Sequence, residues 1–114
     1  MKMKFEVFFL EEAVEFMSSL DAKSRKKIYY NLDKAKFIND PKLFEKLDGD
    51  IWYFRTKFLK IQYRIFAFWD KTNNMDTLVI ATHGIIKKTQ KTPKAEINKA
   101  ERIRKEYFEF KNKQ

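Results

Sequence analysis

Two arginines on either side of a predicted tight turn are the first candidates for chemistry. If Leu59-Lys60 forms a two-residue hairpin turn, Arg55 and Arg64 lie directly opposite each other on the two strands. Like charges in opposed positions destabilise a sheet unless an anion lies between them. The spacing therefore predicts a phosphate-binding pair, provided that this register holds. The alternative, two ordinary strand arginines neutralised by helix carboxylates or screened by water, stays open at this stage.

A second candidate is the segment HGIIKKTQKTP at residues 83–93. It contains the only histidine, His83, and it joins a predicted strand to a predicted helix. The segment from Lys87 to Lys94 contains four lysines, both ends included, and no acidic residue. The free N–H groups at the start of a helix favour phosphate. The alternative interpretation is a hydrogen-bonding structural histidine followed by solvated surface lysines.

Several other kinds of site are excluded by residue type or spacing. The chain has no cysteine and one histidine, which excludes thiolate nucleophiles, disulfides and the usual structural zinc sites. Neither a glycine-rich phosphate loop nor a nucleophile elbow is present. Asp48 and Asp50 flank Gly49, and we interpret them as turn-forming residues rather than as ligands of a cation.

The charge of the chain is strongly positive and unevenly distributed. Its 114 residues include 25 Lys and Arg against 16 Asp and Glu, a formal charge of +9. Residues 1–57 contribute +2 of this charge and residues 58–114 contribute +7. A basic surface attracts polyanions such as nucleic acid, although a merely solubilising surface would have the same composition.

The composition predicts one globular domain over residues 1–114. With 44% hydrophobic residues and only four Gly and Pro together, the disordered and low-complexity classes are excluded. No apolar run approaches the roughly 18 residues of a membrane helix, and the N-terminus turns acidic too soon for a signal peptide, so we expect a soluble cytoplasmic protein. Most aromatic residues are predicted to lie in the core. A weaker alternative assigns base-stacking surfaces to Trp52, Tyr53, Phe68 and Trp69.

The hydrophobic periodicity predicts the element order β-α-α-β-β-β-α. Alternating apolar residues indicate a strand at the N-terminus, and helical spacing then predicts a helical hairpin with Asp21 as an N-cap. Strands are predicted over residues 51–57, 61–69 and 77–86, and a last helix after Thr92-Pro93. The expected fold is α+β, with an antiparallel sheet packed against the helical hairpin and the C-terminal helix.

Three segments carry a resemblance to a known family. They are KLDGDIWYFR at residues 46–55, YRI at 63–65 and HGIIKKTQKTP at 83–93, followed by Glu96, Ile97 and Ala100. In these segments the sequence resembles the RelE/ParE superfamily of toxins and, within it, the phage-derived HigB-like branch. In such relatives the first segment usually ends in Glu-Leu-Arg, whereas Tyr53-Phe54-Arg55 keeps the arginine and lacks the acid.

The resemblance implies a RelE-like fold and the toxin of a type II toxin–antitoxin system. Such a toxin is an endoribonuclease that needs neither metal nor cofactor and cleaves mRNA, commonly on the ribosome, by attack of the RNA's own 2′-hydroxyl on the scissile phosphate. The implied partner is a helix-turn-helix antitoxin, bound in a toxin–antitoxin hetero-oligomer. Gyrase inhibition and non-catalytic RNA binding are the alternatives on the same fold.

The resemblance also suggests roles for individual residues. Arg55 and Arg64 are assigned to the scissile phosphate and His83 to proton transfer. The lysines expected to bind the RNA backbone or transition-state charge are Lys57, Lys87, Lys88 and Lys91. Tyr107 lies on the apolar stripe of the last helix, so it is predicted to pack in the core first and to act as an acid or base only second.

Overall fold

The computed structural model describes residues 2–72, 77–88 and 91–113 and confirms the α+β class. The five strands are β1 (Glu6–Phe9), β2 (Phe44–Asp48), β3 (Ile51–Phe58), β4 (Ile61–Asp70) and β5 (Leu78–Lys87). The three helices are α1 (Glu11–Ser19), α2 (Ala22–Phe37) and α3 (Lys94–Asn112). Within these ranges every helix is too short or too polar to span a membrane.

The strands form one sheet in the order β1-β5-β4-β3-β2. This sheet differs from the expected antiparallel one in two ways. Strand β1 pairs with β5 in parallel, and β2 is an additional strand at the other edge, antiparallel to β3. The sequence FEKLD of β2 is short and half polar, so its alternation is too brief to be recognised without its partner strand.

The β3–β4 hairpin has the predicted register. Leu59 and Lys60 both adopt positive φ, 51° and 68°, as the two central residues of a type I′ turn require. Phe58 therefore pairs with Ile61, and Arg55 pairs with Arg64. Neither turn residue is glycine or asparagine, so the turn is strained locally and is held in place by the long ladder behind it.

The two faces of the sheet carry separate cores. Phe54, Ile65 and Ala67 face the α1–α2 hairpin, whereas Tyr53, Phe66 and Phe68 face α3. The predicted N-cap of α2 is confirmed, because the Asp21 carboxylate accepts a hydrogen bond from the Ser24 N–H at 3.1 Å. The period-two alternation of β3 and β4 thus decides which side chains share a face with α3.

A β-bulge in β5 sets the direction of its second half. Phe66 pairs with His83 and Ala67 pairs with Ala81, so Thr82 is the extra residue. An extra residue reverses the alternation, and His83 consequently lies on the same face as Ile80 before the bulge. Gly84 then faces α1, where a Cβ would come within 2.2 Å of the Phe16 ring, so the position has room only for glycine.

The last helix starts at Lys94, with Pro93 as its N-cap residue. It packs its apolar side over the α3 face of β3, β4 and β5, and Ala100 is fully buried at the contact. Because α3 covers only part of this face, the strand segments nearest the β3–β4 turn extend beyond it and remain available for polar side chains.

Candidate active site

Three rows of cross-strand neighbours continue the α3 face of the sheet toward the β3–β4 turn. Each row takes one residue from β3, one from β4 and one from β5, and paired residues share a face. From α3 outward, the rows are Tyr53–Phe66–His83, Arg55–Arg64–Ile85 and Lys57–Gln62–Lys87. The sheet therefore brings Arg55, Arg64 and Lys87 into adjacent rows, although they are up to 32 residues apart in the sequence.

Arg64 is the most buried cation of this group, with 5% of its surface exposed. Its guanidinium donates to the Gln62 side-chain oxygen at 2.9 Å and to the Tyr63 carbonyl at 3.3 Å. Burial lowers its pKa, and the charge of Arg55 lowers it further. Among the described residues no carboxylate lies within ion-pairing distance of Arg64, so this buried charge is only partly compensated.

Arg55 has a carboxylate partner that the sequence analysis missed. Its guanidinium donates to the Glu45 carboxylate and to the Tyr53 hydroxyl, and the Tyr53 hydroxyl donates to the same Glu45 oxygen at 3.2 Å. Glu45 on β2 pairs with Tyr53 on β3. The acid absent from position 53 is thus replaced in space by an acid on the neighbouring strand.

Lys87 completes a cluster of three cations with Arg55 and Arg64. Burial lowers the pKa of Lys87, and the positive charges of Arg64 and Arg55 lower it further. We call Arg55, Arg64 and Lys87 the cation cluster. Within the described ranges, Glu45 is the one carboxylate that contacts it, so the cluster keeps an excess of positive charge.

The cation cluster also has unsatisfied donors. The Nε atoms of Arg55 and Arg64 are buried and have no hydrogen-bond partner in the described part of the chain. A buried donor without a partner costs about 1–3 kcal/mol. The cluster is therefore held by the sheet rather than by its own interactions, an arrangement that an added anion would stabilise.

The sequence of the chain matches a known protein family. The model of the phage-derived protein Gp49-like family (DUF891) matches residues 15–105. The chain belongs to this family. Gp49-like proteins are generally of the RelE toxin type, and the matched span contains all three members of the cation cluster. Among curated proteins no match was found.

His83 of this Gp49-like protein lies inside the fold rather than in the cation cluster. Only 2% of its surface is exposed, and its ring stacks on Phe66 at a centroid distance of 4.7 Å. Its Nε2 lies 3.2 Å from a Glu96 oxygen and its Nδ1 lies 2.9 Å from the Thr82 hydroxyl. A neutral ring with its proton on Nε2 satisfies both contacts. Burial lowers the pKa of His83, and Lys99 lowers it further, so the neutral form is favoured.

The remaining predicted lysines lie outside the cation cluster. Lys57 is exposed on the row that also contains Lys87. Lys88 follows β5 and Lys91 precedes α3, and both are exposed. Thr89 and Gln90 of the same sequence segment lie outside the described residues, as do Asn73 and Asn74, which lie between the strands predicted at residues 61–69 and 77–86.

Tyr107 is far from the cation cluster. Its hydroxyl donates to the Asp70 carboxylate at 2.5 Å, and its ring packs edge-on against Phe68. Burial and the Asp70 carboxylate raise its pKa, so Tyr107 keeps its proton. Among the described residues no three His, Asp or Glu side chains converge as metal ligands, and Asp50 pairs with Arg104 at 3.3 Å.

Proposed function

We propose that this protein is a HigB-like toxin of a type II toxin–antitoxin system, and that it cleaves mRNA as an endoribonuclease. The observation that carries the proposal is the cation cluster, in which Arg55 and Arg64 face each other with a single carboxylate nearby. A sheet keeps such a costly arrangement when an anion normally binds there. Membership of the Gp49-like family supports the same conclusion.

The scissile phosphate would bind over the row that contains Arg55 and Arg64. Attack by the 2′-hydroxyl adds negative charge to the phosphate oxygens, and preorganised cations lower the energy of that transition state more than that of the bound substrate. Lys87, one row further out, would neutralise charge on the same phosphate or on the leaving oxygen. The RNA supplies the nucleophile, so the protein needs to orient the phosphate and to move two protons.

Glu45 is the side chain best placed to accept the proton of the 2′-hydroxyl. In the proposed step the 2′-oxygen bonds to phosphorus, its proton passes to Glu45, and the bond from phosphorus to the 5′-oxygen breaks. The leaving 5′-oxygen takes a proton from Lys87, whose pKa is lowered by burial and by the two arginines. The products are a 2′,3′-cyclic phosphate and a 5′-hydroxyl.

His83 remains the alternative for proton transfer that the family resemblance suggests. To exchange a proton with RNA, its ring would have to leave both Glu96 and Thr82. We therefore assign it first to positioning the bulge that directs β5 toward the cation cluster. The exposed lysines Lys57, Lys88 and Lys91 would bind neighbouring phosphates, and their contribution should weaken as salt concentration rises.

The proposed partners are mRNA on the ribosome and a helix-turn-helix antitoxin with an acidic surface. The adjacent gene is the simplest test of the second partner. A neighbouring open reading frame that encodes a small helix-turn-helix protein, and whose product copurifies with this chain, would support the pair. Failure of every neighbouring product to bind or to relieve growth arrest would contradict it.

Mapping RNA 5′ ends in cells tests the nuclease activity. The wild type, Arg64→Ala and the control Arg102→Ala are induced in parallel; Arg102 is an exposed α3 residue that pairs with Glu106. We expect new 5′ ends within coding regions for the wild type and the control, and their loss in Arg64→Ala. Growth arrest with unchanged transcripts would overturn the nuclease assignment and favour protein inhibition, which a gyrase supercoiling assay would then detect.

One observation favours a second candidate, a non-catalytic RNA-binding module. The only histidine is buried with both ring nitrogens bonded, and the Tyr107 hydroxyl is bound to Asp70, so two customary acid–base residues are occupied. This alternative predicts salt-sensitive RNA binding without cleavage, even on programmed ribosomes. Cleavage that depends on Glu45 would exclude it.

A further inference from the structure

A cleft lies at the end of the sheet opposite the β3–β4 turn. Its volume is about 750 Å³, and it lies between the β2–β3 turn, the end of β4 and α3. Both tryptophans of the chain, Trp52 and Trp69, line it. A volume in this range matches pockets that hold small organic ligands, about 300–1,000 Å³.

The two tryptophans give the cleft an aromatic wall. Their rings meet edge to face, with centroids 5.9 Å apart, and both side chains are half-buried. The ammonium group of Lys71 lies over the Trp69 ring at 5.9 Å from its centroid. This cation–π contact joins the aromatic wall to an exposed lysine that also lines the cleft.

The cations that line the cleft differ in whether a carboxylate neutralises them. Arg104 is neutralised by Asp50 at 3.3 Å and by Glu101 at 3.0 Å. The other two cations, Lys46 and Lys71, are exposed, and within the described residues neither lies in an ion pair. An aromatic wall with two available ammonium groups is complementary to a flat aromatic group that carries a negative charge.

We propose that this cleft binds a nucleotide unit, with the base stacked on one of the two tryptophan rings and the phosphate held by Lys71 and Lys46. Stacking on tryptophan accepts any base, and the lysines select for a phosphate. The source is either a free nucleotide or one nucleotide of a bound RNA. Trp52 is three residues from Arg55 along β3, about 10 Å, but on the opposite face of the sheet. The site therefore does not require the proposed nuclease activity.

Intrinsic fluorescence is a specific probe of this cleft because Trp52 and Trp69 are the only tryptophans. The chain is titrated with AMP, with adenosine and with inorganic phosphate. We expect saturable quenching by AMP, affinity for adenosine weaker by about tenfold, and no quenching by phosphate alone. Lys71→Glu should weaken AMP binding by at least about fivefold, whereas Lys34→Ala, at an exposed position in α2, should leave it unchanged.

A 2′-O-methyl RNA tetramer, which lacks the reactive hydroxyl, distinguishes the two sources. Tetramer binding at least about tenfold tighter than AMP identifies RNA as the ligand, and equal affinity identifies a free nucleotide. The ligands should quench the fluorescence of Arg64→Ala as they quench that of the wild type, because the cleft is separate from the cation cluster. The proposal is overturned if neither AMP nor the tetramer gives saturable quenching, if Lys71→Glu leaves the affinity unchanged, or if Arg64→Ala abolishes the quenching.

Discussion

Two buried charges on the same face of β4 have opposite environments. Asp70, at the end of the strand, is 2% exposed, and Arg64, six residues earlier, is 5% exposed. Asp70 accepts hydrogen bonds from Tyr107, from Lys111 at 2.6 Å, and from the Thr72 N–H and hydroxyl at 3.0 and 2.7 Å. Among the described residues the Arg64 side chain contacts only neutral groups, the Gln62 side chain, the Tyr63 carbonyl and the Tyr53 ring, and a second arginine lies opposite it.

The contrast separates a cluster that stabilises the fold from one that we propose binds an anion. Burial alone would raise the pKa of Asp70, but the hydrogen bonds from Lys111, Tyr107 and Thr72 outweigh it and hold that pKa well below its usual range. The pKa of Arg64 moves in the direction that burial dictates. The Asp70 carboxylate has all its partners within the protein, whereas the cation cluster has one carboxylate, Glu45, for three cations among the described residues, so substitutions at the two should separate stability from activity.

Removal of the Asp70 carboxylate should have the largest effect on stability. Asp70→Ala removes a buried acceptor that binds the Tyr107 hydroxyl, the half-buried Lys111 ammonium and two donors of Thr72. Several hydrogen bonds to one charged group are lost together, so we expect a loss of about 3–5 kcal/mol. Urea denaturation followed by circular dichroism measures this loss. Because the pKa of Asp70 is depressed in the folded state, its contribution is present above about pH 4 and is lost as the pH falls toward the folded pKa. An Asp70→Ala variant as stable as the wild type would show that the Asp70 cluster does not stabilise the fold.

Removal of the Arg64 guanidinium should lower RNA cleavage without lowering the stability of the fold. Arg64→Met fills the same space without a buried charge, so stability should be equal or higher, while RNA cleavage falls by about 10²- to 10³-fold. Cleavage rates and unfolding curves measured on one preparation give both values. The matched control, Arg102→Met, should change neither, and an active Arg64→Met variant would remove the cation cluster from the mechanism.

Replacement of the Glu45 carboxylate by an amide should slow cleavage by about 100-fold. Glu45→Gln keeps the hydrogen-bonding shape beside Tyr53 and Arg55 but cannot accept the proton. RNA binding should be equal or tighter, because one negative charge is lost from the site. Filter binding with a 2′-O-methyl RNA separates the two effects; weaker binding with unchanged cleavage would contradict the proposed role.

Substitution of His83 should change stability and its pH dependence. His83→Gln should cost about 1–3 kcal/mol, because it disrupts the contacts with Thr82 and Glu96. The folded state holds the pKa of His83 below its ordinary value near 6.5, so the unfolded chain binds the proton first. Wild-type stability should therefore fall as the pH drops below about 6.5, and His83→Gln should lack this slope. Thermal unfolding between pH 5 and about 8 measures the difference, and parallel curves would indicate an accessible histidine.

Optimisation of the hairpin turn should have the smallest effect. Replacing Leu59-Lys60 by Asn-Gly suits the positive φ angles and should stabilise the fold by about 0.5–1 kcal/mol. Cleavage should not change, because the register of Arg55 and Arg64 is already fixed by seven residue pairs between β3 and β4. Thermal unfolding and a cleavage assay check both, and a shift in activity would show that the register depends on the turn.

Local signals account for what the sequence predicts correctly. The alternation of β3 and β4 and the two-residue turn predict that Arg55 pairs with Arg64, and Asp21 is recognisable as a cap. Strand β2 is not predictable in this way because its pairing with β3 gives it its structure. The contact of Glu45 with Arg55 depends on that pairing, and the bulge at Thr82 has no local signature. Both depend on tertiary pairing, which periodicity does not encode.

The most direct test of the central claim is cleavage of a defined mRNA on programmed ribosomes by the purified protein. One mRNA is unmodified, and the other carries a single 2′-deoxynucleotide on the 5′ side of the mapped cleavage site. The account predicts cleavage of the unmodified mRNA to a 2′,3′-cyclic phosphate and a 5′-hydroxyl, no cleavage at the deoxy position, and no cleavage of either mRNA by Arg64→Met. Cleavage at the deoxy position, or unchanged cleavage by Arg64→Met, would contradict it.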